Sequence, residues 1–219
     1  MDNRKGFHQS LEDLQRDILK MGVMVEEAIY QAVKSLASLD AKIAQEVIDG
    51  DEAINNRMVD VESECLRLLA LQQPMAGDLR VIGTAMKIVT DLERIGDHAV
   101  DIAKTTVRLQ GDKLLKPLID TPRMADLAKE MLNEALNAYV NRDTKTALSL
   151  AAKDDVVDGI YKEIFLELQE LMERDKANVN QAMKLLMVAN GLERIADHAT
   201  NIGEWVIYMV SGDRKDLNA

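Results

Sequence analysis

The sequence predicts an all-α protein, built as two tandem, internally repeated three-helix bundles with six long helices. Three observations carry that prediction. An eight-residue stretch occurs twice, as Leu-Glu-Arg-Ile-Gly-Asp-His-Ala at 92–99 and as Leu-Glu-Arg-Ile-Ala-Asp-His-Ala at 192–199, with only Gly96 and Ala196 differing. Repetition of this fidelity at an offset of 100 residues means one unit used twice. Hydrophobic residues make up 47% of the 219 residues but aromatics only 3%, so the core is built from Leu, Ile, Val, Met and Ala, the palette of helical bundles. Only 3 prolines and 11 glycines leave long stretches with nothing to interrupt a helix.

The elements follow in order. Leu11, Leu14, Ile18, Met21, Val25, Ala28, Ala32, Leu36 and Leu39 recur every three or four residues, one apolar stripe on a helix over about 9–39. Asp40 reads as the N-cap of a second helix over about 41–71, because its carboxylate can accept the free N–H groups of the next turn. Gln72-Gln73-Pro74 breaks that helix, and a third is expected over about 74–110 with Pro74 in its first turn and Asp78 at its positive end. Its stripe is Val81, Ala85, Ile88, Leu92, Ile95, Ala99 and Ile102. The stretch 111–121 is the one clear linker, which divides the chain into repeats at 1–111 and 112–219. Thr121-Pro122 is expected as the N-cap and first residue of helix four, which runs to about Arg142. Asp143 then caps helix five as Asp40 capped helix two, at an offset of 103. Helix five ends near residue 173, and helix six covers about 177–210 with Leu185, Val188, Leu192, Ile195, Ala199 and Ile202 inward.

Composition excludes several classes of function. A net charge of −11 repels a phosphate backbone, and no basic run exceeds two residues, so no nucleic-acid partner is expected. The single Cys65 makes no intramolecular disulfide and has no metal-ligand spacing around it. The N-terminus lacks an apolar stretch of signal-peptide length, and no run approaches the roughly 18 apolar residues of a spanning helix. The expectation is a cytoplasmic protein without membrane insertion. Nor is there a nucleophile–base pair or a Gly-rich phosphate loop.

The repeated motif carries carboxylates. Helix geometry turns about 100° per residue, so Glu93 and Asp97 lie on one side, Asp101 adds another turn, and all point away from Leu92, Ile95 and Ala99. The second copy supplies Glu193 and Asp197, then Asn201, with Glu204 continuing the stripe. Helix two runs antiparallel to helix three about a turn centred near residue 73, which sets Asp49 and Asp51 level with this motif. The same argument about a turn near 176 sets Asp154, Asp155 and Asp158 level with Glu193 and Asp197. Clustered like charges cost free energy unless a cation sits among them. A hard divalent or trivalent ion on oxygen ligands (iron, manganese, magnesium, calcium or zinc) answers that cost. The alternative is a solvated acidic face balanced by Lys87, Arg94, Lys104 and Arg194. His98 and His198 lie about 100° round from Asp97 and Asp197, on the side of Arg94 and Arg194, and the Glu-x-x-His signature of di-iron bundles is missing. They are expected to make hydrogen bonds or helix contacts beside those arginines. Gly96, Gly191 and Gly203 are expected at close helix approaches, and Trp205 as a packing residue.

Three segments, Gln73-Pro74-Met75-Ala76-Gly77-Asp78-Leu79-Arg80, Asp91 to Ala99, and Leu192 to Ile202, make the sequence resemble the PhoU family of phosphate-uptake regulators over nearly the whole chain. The resemblance implies a cytoplasmic, commonly dimeric regulator rather than an enzyme. It implies an adaptor between the ATPase of the phosphate ABC transporter and the sensor histidine kinase, acting as a negative regulator of uptake and of the phosphate-starvation response. It also implies metal on the motif acids, here Glu93, Asp97 and Asp101, and Glu193 and Asp197. Two other classes stay open, a carboxylate-bridged metalloenzyme and a metal-free helical interaction module.

Overall fold

The computed structural model describes residues 2–217. Among them the chain forms α1 (Asp2–Ser38), α2 (Ala41–Gln72), α3 (Ala76–Arg108), α4 (Asp120–Asn141), α5 (Thr144–Arg174) and α6 (Val179–Ser211), with a 3₁₀ turn at Lys176–Asn178. The first helix begins well before the residue 9 expected from its apolar stripe, and Phe7, one turn ahead of Leu11, extends the buried stripe.

The first turn of each repeat is built the same way. Leu39 and Arg142 take the left-handed conformation at φ 51° and 53°. The next residue's N–H then bonds back to Ser35 in one repeat and Ala138 in the other, both at 2.9 Å. Asp40 accepts from Lys42 N and Ile43 N, and Asp143 from Lys145 N and Thr146 N, at 2.9 and 3.2 Å in both copies. The expected caps are therefore in place, each satisfying two of the free amide donors at a helix start.

Two helix starts differ from expectation. Helix α3 begins at Ala76 behind Met75, so Pro74 lies ahead of the N-cap; Gln73 at φ 43° ends α2. Helix α4 begins at Asp120, which puts Thr121 inside the first turn and Pro122 next to it, where a missing N–H still costs nothing. Asp78 does sit in the first turn of α3.

In each repeat three helices pack together, α1 with α2 and α3, and α4 with α5 and α6. The repeats then join along α3 against α6 and α1 against α4, leaving α2 and α5 on the flanks. Ile88, Leu92, Ile95 and Ala99 of α3 and Leu192, Ile195, Ala199 and Ile202 of α6 are fully buried, in one core that crosses both repeats. Gly203 makes one approach possible, since a Cβ there would stand 2.7 Å from Leu150 Cδ1 and 3.3 Å from the Ala147 carbonyl oxygen. No described helix is long and apolar enough to cross a membrane.

The segment after α6 folds back over it. Leu217 N donates to Glu204 Oε1 at 2.8 Å, and Arg214 lies 4.5 Å from the Trp205 ring centre. Trp205 thus packs against the core as expected, with Arg214 and Lys87 near its ring, while Glu204 is held by the tail rather than by the acidic stripe.

Candidate functional site

The buried stripe of α3 points Leu92, Ile95 and Ala99 inward, so Glu93 and Asp97 face the groove between α3 and α2. Glu93 is largely covered, its side chain 17% exposed. Across the groove, Asp51 lies at the height where antiparallel packing puts it, its Oδ1 within 3.8 Å of a Cβ built on Gly96. Burial raises the Asp51 carboxyl above its usual range, and the charge of Asp97 raises it further. Glu93 is raised by burial and by Asp97, against the opposing pull of Arg94. Arg94 lies 3.4 Å from Glu93 and 3.2 Å from Asp97 on the solvent side.

The second groove, between α5 and α6, repeats the arrangement with more charge. Asp154 is 9% exposed, and burial together with Asp197, Asp158 and Glu193 pushes its carboxyl up to about 6 despite the Thr200 hydroxyl beside it. Glu193 and Asp197 are raised too, chiefly by burial. Four carboxylates here share one neighbourhood, in which the charges of Asp158 and Asp197 disfavour ionisation of Asp154 and Glu193.

Not every acid expected in these sets is brought in. Asp101 projects outward, its side chain 69% exposed and paired with Lys104 at 3.5 Å. Asn201, its counterpart, is half-buried one turn beyond Asp197. Asp49 is exposed and accepts from Gln45, and Asp155 is exposed. One residue not expected from the sequence does join: Asn55 Nδ2 donates to Asp51 Oδ2 at 3.0 Å. At the offset of 103 that pairs Asp40 with Asp143, Asn55 pairs with Asp158.

Whether these residues suit a cation is tested by their unsatisfied atoms. Asp51 Oδ1, Asn55 Oδ1 and Glu193 Oε2 are buried and accept no hydrogen bond. Buried acceptors without partners are rare and costly, and here two hard oxygens lie in the first groove and one in the second. Among the described residues no three His, Cys, Asp or Glu side chains converge on a single point. The donors are hard oxygens of the kind such a cation takes, but their placement here does not gather three acidic side chains at one centre.

The histidines belong elsewhere. His98 and His198 face each other across the α3–α6 interface, ring centres 5.8 Å apart and planes inclined by 33°. His198 Nδ1–H donates to Asp91 Oδ1 at 2.9 Å, with both side chains largely buried. Their partners are thus on the opposite repeat, not the arginines one turn back on the same helix. The contact is unequal, because Asp91 corresponds to Gly191 in the second copy, and Gly191 lies beside Ile102 and the His98 carbonyl. Burial, and then the proximity of His198, hold the His98 imidazole below its ordinary range.

Comparison with known proteins fits this doubled architecture. The family model described as the PhoU domain matches twice, over residues 18–106 and 121–206. The chain belongs to the PhoU family. Among curated PhoU relatives, the phosphate-specific transport system accessory protein PhoU homolog of Clostridium acetobutylicum is 44% identical, with 98% of this chain and 99% of the relative covered. The protein described in the same words from Aquifex aeolicus is 40% identical, with 94% of this chain and 93% of the relative covered. Among solved PhoU structures, that from Pseudomonas aeruginosa superposes with a TM-score of 0.90 at 37% identity, covering 94% of this chain and all of the other. The phosphate transport system regulatory protein PhoU from Streptococcus pneumoniae also gives 0.90, at 33% identity, covering 96% and 99%.

Proposed function

We propose that this PhoU-family chain is an accessory regulator of phosphate-specific transport whose two carboxylate grooves hold metal ions. The observation that carries the regulatory reading is likeness over almost the full length of both chains to proteins described as accessory to that transport system. The metal reading rests on the duplicated acids with unsatisfied buried oxygens. Asp51, Glu93, Asp97 and the Asn55 carbonyl would form the first set, and Asp154, Asp158, Glu193 and Asp197 the second. A bound hard cation supplies positive charge and several oxygen bonds at a place where carboxylates outnumber the nearby Arg94 and Arg194. The role is non-enzymatic and cytoplasmic. The chain damps uptake and starvation signalling by contacting the transporter's ATPase and the sensor histidine kinase, in a homodimeric form.

Two experiments test this. Pull-down with tagged protein recovers the phosphate transporter ATPase or the sensor kinase; failure with both, at several phosphate levels, contradicts the adaptor role. Elemental analysis after chelator-free purification finds metal, and Glu93→Ala/Asp97→Ala lowers the content per chain. Equal metal in the two proteins removes the first site, and dioxygen-dependent turnover by the loaded protein would favour an oxidase over a regulator.

A further inference from the structure

The two repeats differ sharply at one place outside the carboxylate grooves. In the second repeat Lys153, on α5, lays its side chain toward α4 and places its ammonium 2.5 Å from Glu130 Oε1 and 2.7 Å from Glu134 Oε1. At the offset of 103 the counterparts in the first repeat are Glu27 and Gln31 on α1, but the residue corresponding to Lys153 is Gly50. A cavity of about 170 Å³ lies there between α1 and α2. Its walls are Met24, Ala28, Val47 and Ile54, with Glu27, Gln31 and Glu46 as its polar members. A Cβ built on Gly50 meets nothing within 4 Å, so the space is clear from the backbone outward.

The first repeat therefore keeps the acid that receives a lysine and an apolar lane for its stem, while lacking the lysine. A lysine side chain is four methylenes ended by a compact ammonium, which suits apolar walls leading to a carboxylate. Gln31 Nε2 donates to Glu27 Oε1 at 2.6 Å, leaving its own amide oxygen as a further acceptor for an ammonium N–H. The chain's charge of −11 favours approach of a basic partner.

We propose that the α1–α2 cavity is a binding site for a lysine side chain presented by a partner polypeptide, held as Lys153 is held within the second repeat. The site requires neither metal nor the transport reading. The test is a titration of the full-length, methyl-labelled protein with N-acetyl-lysine-N-methylamide, followed by NMR. Saturable shifts are expected at the methyls of Met24, Ala28, Val47 and Ile54. The norleucine analogue, with the same stem and no ammonium, binds at least tenfold more weakly, and Glu27→Gln weakens the lysine amide at least fivefold. Gly50→Lys fills the lane with its own side chain and abolishes the shifts, with unchanged circular dichroism showing that the fold is intact. Absence of saturable shifts overturns the proposal, as does binding that survives Gly50→Lys or equal binding of the norleucine analogue. Cadaverine binding tenfold more tightly than the lysine amide overturns it too, since the site would then serve free diamines.

Discussion

Asp154 is the residue at which burial and repulsion are most concentrated. Its carboxyl holds a proton more tightly in the folded chain, near 6, than at the ordinary value of 3.8. Its contribution to stability is therefore full below pH 3.8 and is lost as pH rises through about 6. In chelator at pH 7, Asp154→Asn should stabilise the protein by about 1–3 kcal/mol in thermal melts, with no difference at pH 3.5. With metal present the sign should reverse, because the same substitution removes a ligand. A destabilised chelated variant at pH 7 would contradict this account of the groove. Much of this site was legible in the sequence: the helical period aligned Glu93 with Asp97, and antiparallel packing brought in Asp51 and Asp154. Asn55 escaped because it carries no charge, although the offset that pairs Asp40 with Asp143 also pairs it with Asp158. The histidine contact was not legible, because it depends on how one repeat packs on the other, which no spacing within a repeat encodes.

At the scale of the helices, apolar periodicity located α1, α3 and α6 while capping and turn residues placed α4 and α5, and the two Asp caps were readable because their chemistry is local. Asp40→Ala should cost about 1 kcal/mol in denaturant unfolding, from the loss of the carboxylate oxygen that accepts from two amides at the start of α2. Asp143→Ala should act in the same direction. The Thr146 hydroxyl and the helix amides hold the Asp143 carboxyl below its usual value, so that cap's contribution is present above pH 3.8 and fades as pH falls through the lowered value. A deficit for Asp143→Ala that persisted undiminished at pH 2.5 would argue against the cap. The starts of α3 and α4 were less legible. A proline is tolerated at several positions around a helix start, so Pro74 and Pro122 mark the region without fixing the residue. The turns between α2 and α3 and between α5 and α6 also differ, and there the offset drops from 103 to 100. A 3₁₀ turn capped by Asp175 replaces the left-handed Gln73 of the first repeat.

For the whole molecule, the two repeats share one core, with Ala99 and Ile102 of α3 and Ala199 and Ile202 of α6 all buried. Residues 1–111 expressed alone would uncover the α3 face that α6 now covers, and should self-associate in sedimentation at micromolar concentration. A well-folded monomer would show that the seam contributes little. Sequence duplication pointed to two bundles but not to this seam, since an apolar stripe on α3 says nothing of which helix covers its far side. The seam is where a fused pair differs from two identical subunits. In a symmetric dimer each residue meets its own copy's partner, so whatever one side offers the other must offer too. Once joined in a single polypeptide, the two faces are written by separate codons. Asp91 can then give His198 a carboxylate while Gly191 gives His98 only room, an inequality that no pair of identical chains could hold across a twofold axis.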